Sequence, residues 1–85
     1  MQQIALFPPL WRVSERAKPI DWYAVISDLH RVGGMSDANI ADQINVSANT
    51  IWHWRNELGR PNHHHGELLT ELWCQVTGMR EPPRR

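Results

Sequence analysis

The chain has 85 residues, 41% hydrophobic and 21% charged, and its nine basic and nine acidic side chains cancel to a formal net charge of zero. That length makes one small domain whose single core is marginal, so oligomerisation is a common source of further buried surface, and the composition is globular rather than disordered. Cys74 is the only cysteine, which excludes an internal disulfide and a cysteine-rich zinc site.

Residues 1–19 contain Pro8, Pro9 and Pro19, which rule out a helix across the segment. Ile4, Ala5, Leu6 and Phe7, followed by Trp11 and Val13, suit an arm packed on the body or on a second subunit; fraying is the alternative. No basic region precedes these apolar residues, as a secretion signal would require, and no apolar stretch reaches membrane-spanning length. A cytoplasmic protein that avoids membranes is the expectation.

Residues 20–78 read as the folded domain. Asp21 is a good N-cap, and Trp22, Val25, Ile26 and Leu29 recur at intervals of three and four, predicting a helix to about Val32 that Gly33-Gly34 ends. Ser36 caps a second helix over about Asp37 to Ile44, with Ile40, Ala41 and Ile44 inward. Asn45 makes the turn. Ser47 caps a third helix over about Ala48 to Leu58, burying Ile51, Trp54 and Leu58, with Gly59 and Pro61 as terminators. A last helix runs from near Gly66 to Thr77 with Leu68, Leu69, Leu72, Trp73 and Val76 apolar, and Gly78 at its C′ position. Cys74 falls in this apolar run as an inert core thiol. Residues 79–85, MREPPRR, read as a frayed basic tail. The fold class is all-α, a bundle of four or five helices.

Function is concentrated between Ile40 and Asn56. Two helices crossing near a right angle need a small side chain where their axes approach, which is Ala41. The link between them needs a residue that tolerates positive φ, and Asn45 is the best non-glycine choice. Val46 plugs the angle, while Ile51 and Trp54 seat the second helix of the pair. The opposite face then projects Ser47, Ala48, Asn49, Trp52, His53 and Asn56. Asn49 suits a bidentate contact to adenine, and Trp52 suits a thymine methyl or, alternatively, core or subunit packing. Ser36, Arg55, Arg60, His63 and His64 are the phosphate-contact candidates. Zero net charge opposes nucleic-acid binding, but it is unevenly spread: residues 21–46 carry −3 and 47–65 carry +1, with four of the five histidines in the latter segment.

The stretch MSDANIADQINVSANTIWHWRN resembles the Cro/cI-type, lambda-repressor-like helix-turn-helix family of phages and prophages. Met35, Ser36, Ile40, Ala41, Ile44, Val46, Ser47, Thr50, Ile51 and Trp54 match its usual wording. The family's phosphate-binding glutamine falls on Asp37, whose charge repels a phosphate; its turn glycine falls on Asn45 and its glutamate on Arg55. The resemblance spans Ile20 to Thr77, but only the central stretch is specific. It implies a helical domain that reads double-stranded DNA in the major groove with the helix after Asn45, often as a homodimer. A transcriptional repressor is the expected role. Leu6, Phe7, Trp11, Leu72 and Trp73 are the candidate dimer surface.

Other chemistry finds little footing. His63, His64 and His65 are adjacent on an expected loop, where neighbouring side chains rarely converge on one ion, so no metal is expected. There is no glycine-rich phosphate loop, and Asp21, Asp28, Asp37 and Asp42 are dispersed, so no enzyme, cofactor or small-molecule ligand is expected. The rival reading is a small adaptor, antitoxin or terminase component in which Trp11, Trp22, Trp52 and Trp73 make a protein interface.

Overall fold

Four side chains, each accepting a hydrogen bond from the backbone N–H three residues on, start the helices. Asp21 receives Ala24 N–H at 3.1 Å, Ser36 receives Asn39 N–H at 3.1 Å, Ser47 receives Thr50 N–H at 3.1 Å, and Asn62 receives His65 N–H at 2.8 Å. Each satisfies a donor that a helix start leaves without an intrahelical partner. The computed structural model describes residues 18–85, so the N-terminal arm lies almost wholly outside the described residues. The caps launch α1 (Trp22–Arg31), α2 (Asp37–Ile44), α3 (Ala48–Arg55) and α4 (His63–Thr77). Among the described residues they form an all-α four-helix bundle.

Helix ends follow from backbone conformations that few residues adopt. Asn45 closes α2 in the left-handed region at φ 61, ψ 50, and Gly78 closes α4 at φ 75. α3 departs from expectation: it stops at Arg55 rather than Leu58. Glu57 takes φ 61, its N–H donates to Trp54 O, and Leu58 N–H donates to His53 O. That pair of bonds is a Schellman closure with a glutamate where glycine is usual. Leu58, expected inside, is instead 64% exposed. α4 starts at His63 rather than near Gly66, because Asn62 supplies the cap, so the histidine triplet is helical and not a loop.

The core draws on all four helices: Val25, Ile26 and Leu29 from α1, Ile40, Ala41 and Ile44 from α2, Ile51 and Trp54 from α3, Leu69 and Trp73 from α4. Fully burying each branched aliphatic is worth roughly 1.5–3 kcal/mol. Trp73 Nε1–H also donates to Asp28 Oδ2 at 2.9 Å, which joins α4 to α1 while satisfying the buried indole. Trp22 lies against Gly66, where an added Cβ would come within 3.3 Å of the indole. Gly33 is tighter, since its Cβ would meet Leu29 O at 2.8 Å. Cys74 is only half-buried at the edge of the core.

The segment expected to fray is packed. Residues 82–85 run back beside the start of α1: Asp21 N–H donates to Pro83 O at 2.8 Å, Arg85 N–H to Pro19 O at 2.9 Å, and Ile20 pairs antiparallel with Arg84. Pro82 is buried. The Arg85 guanidinium then joins Asp21 at 3.5 Å and the two oxygens of Glu57. This C-terminal strap links the start of α1 to the turn after α3. Among the described residues no helix is long and apolar enough to cross a membrane.

Candidate functional site

α3 divides cleanly into two faces. Ile51 is fully buried and Trp54 is 7% exposed, so this side is fixed to the core. Ala48, Asn49, Trp52 and Asn56 are exposed on the rest of the helix, with His53 half-buried among them and Ser47 exposed at the cap. The six side chains that sequence singled out therefore belong to one helix and its two caps, and most of them face solvent.

Their hydrogen bonds distinguish them. The Ser47 hydroxyl is engaged, accepting from Thr50 N–H and pairing with Thr50 Oγ1 at 2.8 Å. Asn56 donates through Nδ2 to Trp52 O at 2.8 Å. His53 holds Asn49 O through Nδ1 at 2.8 Å, and its ring stands edge-on to Trp52 with centroids 5.4 Å apart. Asn49 keeps its side-chain amide open to solvent. Trp52, at 43% exposure, presents the largest apolar surface of the face.

The pair α2 and α3 is locked by charge as well as by Ala41, Ile44 and Ile51. Asp37, at the start of α2, receives Arg55 Nη2 at 3.0 Å from the end of α3, and its other oxygen lies 2.9 Å from His30 Nε2 on α1. His30 Nδ1 donates to Met35 O at 2.6 Å, so the ring also fixes the loop before α2. These side chains are one-fifth to one-third exposed. The His30–Asp37 contact has the distance of an ion pair but not the alignment of a hydrogen bond, and Arg55 Nε, also buried, lacks an aligned acceptor. The sequence suggested only that Asp37 repels phosphate; it is in fact a brace across three helices. Spacing along one helix could not reveal it.

The phosphate-contact candidates fare unequally. Ser36 is occupied by a capping box with Asn39, its N–H donating to Asn39 Oδ1 at 3.2 Å while its hydroxyl accepts in return. Arg55 is held by Asp37. Arg60 is exposed beside a cleft of about 270 Å³ between the start of α1 and the loop after α3. His63 sits 3.4 Å from Glu67 one turn on, and His64 is exposed. His65 turns toward the Trp54 ring, with centroids 6.2 Å apart. Among the described residues no three His, Cys, Asp or Glu side chains converge on one point.

One further expectation needs correction. Trp73 is 1% exposed and Leu72 only half-buried, so of this pair Trp73 contributes nothing to a surface; its indole is committed to Asp28 and the core. Leu6, Phe7 and Trp11 lie outside the described residues. Sequence reasoning also missed Glu57 and Arg85. The guanidinium hydrogen bond holds the Glu57 carboxyl below its ordinary range, and the same bond raises Arg85 further above its own. The surplus of arginines in REPPRR was the available signal, but nothing local names their partners.

No family model matches the chain, and no match is found among curated proteins or solved structures.

Proposed function

We propose that the protein binds double-stranded DNA sequence-specifically, as a lambda-repressor-like helix-turn-helix in which α2 and α3 are the motif and α3 reads the major groove. The carrying observation is α3 itself: a helix seated on the core by Ile51 and Trp54 that turns Asn49 and Trp52 outward beside its capped N-terminus. Such a surface matches what duplex recognition needs, with a rigid helix, an amide of bidentate capacity and an apolar group for a methyl or sugar. Arg60, His63 and His64 are the phosphate ligands on this reading. Ser36 and Arg55 are already engaged within the protein. The role is transcriptional regulation by occupancy, without a catalytic step.

A homodimer on a two-fold-symmetric site fits a neutral domain, since one copy reaches few base pairs and gains little non-specific affinity. Sedimentation at micromolar concentration, with and without the selected DNA, checks this; monomer alone in both refutes it. A protein-binding adaptor is the second reading, favoured by the zero net charge and the exposed Trp52.

Selection from a random duplex library decides between them. An enriched motif supports the DNA reading, and Asn49→Ala is then expected to weaken the motif by about 1–3 kcal/mol while sparing random DNA. Recovery of no motif, with Trp52→Ala altering assembly instead, favours the adaptor.

A further inference from the structure

One nitrogen of the histidine on the exposed face of α3 is already assigned by its surroundings. His53 Nδ1 lies 2.8 Å from the carbonyl oxygen of Asn49, one turn earlier. A carbonyl only accepts, so Nδ1 carries the ring hydrogen, and in the neutral imidazole Nε2 is then an acceptor. The Trp52 indole stands at 89° to the ring, edge to face, with centroids 5.4 Å apart. The ring thus contacts a backbone carbonyl and an uncharged indole. Arg55, the one arginine of α3, is bound by Asp37, while His63 pairs with Glu67 and His65 faces Trp54.

We infer that His53 is a specificity-determining residue of the reading face, offering Nε2 as an acceptor to a base amine, adenine N6 or cytosine N4. When the ring gains a proton, the same atom becomes a donor suited to guanine N7 or O6. The inference rests on the DNA reading above and adds a base class and a pH-dependent exchange to it. Asparagine differs in kind: Asn49 shows both a donor and an acceptor at every pH, so its preference stays constant. His53 reports which protonation state is present.

The test has one arm without DNA and one with it. Nitrogen-15 NMR of the imidazole rings in the full chain, at about pH 8, is expected to show His53 as the Nδ1-protonated tautomer. The Nε2-protonated tautomer overturns the inference whatever the protein binds. In the second arm, wild type and His53→Gln are each selected against a random duplex library at about pH 8 and about pH 5.5. One position of the wild-type motif is expected to move from adenine or cytosine toward guanine by about three- to tenfold, the worth of one hydrogen bond. The glutamine variant is expected to keep one motif at both pH values, which separates His53 from the other histidines. An enriched motif that ignores pH, or a shift that persists in His53→Gln, overturns the inference and leaves DNA reading intact. Absence of any motif at either pH overturns both.

Discussion

α1 and α4 meet through Val25, Ile26, Leu29, Leu69 and Trp73, all at most 1% exposed, with a single side-chain hydrogen bond from Trp73 to Asp28. α2 and α3 have eight residues each, too short to persist alone, and between them bury Ile40, Ala41, Ile44, Ile51 and Trp54. Their definition comes from elsewhere: two serine caps, a left-handed Asn45, and the Asp37–Arg55 pair. The first pair therefore works as a hydrophobic clamp and the second as a short, geometrically specified unit held against it. Apolar burial is non-directional, whereas caps and a left-handed turn fix an angle. The half that presents an outward surface is the half with the more directional interactions.

Breaking the clamp is expected to cost most. Trp73→Ala should lose about 3–5 kcal/mol, a large part of the marginal stability of a small domain. Urea unfolding followed by far-UV circular dichroism measures it, and Trp73→Phe should lose less because ring packing survives. A loss no greater than that of a turn substitution would erase the distinction between the two halves.

In the short pair, Asn45→Ala is expected to cost about 1–2 kcal/mol, since alanine has to occupy a left-handed conformation without the local polarity that helps asparagine there. Asn45→Gly should match wild type or exceed it slightly. Equal stability for the alanine and glycine variants, in the same unfolding assay, would mean that the turn conformation is not a constraint.

The charge brace should respond more mildly. Asp37→Asn removes the anion facing Arg55, a partly exposed pair worth about 1 kcal/mol or less. If the protein binds DNA as proposed, the released guanidinium is then expected to reach phosphate and increase the salt dependence of that binding by about one contact. An unchanged salt slope, measured by titrating a selected duplex at several ionic strengths, would show that Arg55 faces away from DNA in the proposed complex.

The smallest effect belongs to the strap. Glu57 is held below its ordinary value of 4.5, so its pairing contributes above that pH and is lost as pH falls through the lowered folded-state value. Arg85 stays charged throughout. The amide resonances of Asp21 and Arg85 are expected to move together on acidification while the core resonances hold. Glu57→Gln should remove that coupled shift, and its persistence would show that the Glu57–Arg85 pairing is not its source.

Much of the bundle was legible because its signals are local. Asp21, Ser36 and Ser47 each act on an N–H three residues away, Asn45 and Gly78 act on their own backbone, and the apolar stripes repeat within a turn. The outward side chains of α3 followed from the same periodicity once Ile51 and Trp54 were placed inside. Asn62 was equally local, yet the glycine at 66 drew the expected start of α4 past it. Glu57 hid the end of α3 because glutamate carries no preference for a left-handed closure. What sequence could not supply were contacts between distant positions: Asp37 with Arg55 across 18 residues, Glu57 with Arg85 across 28, Asp28 with Trp73 across 45. Those pairings have no period and no fixed spacing, since they depend on which helix ends the folded core brings together. The caps and stripes thus set the helices and the exposed face of α3, while tertiary packing decided which charges remained free to meet a partner.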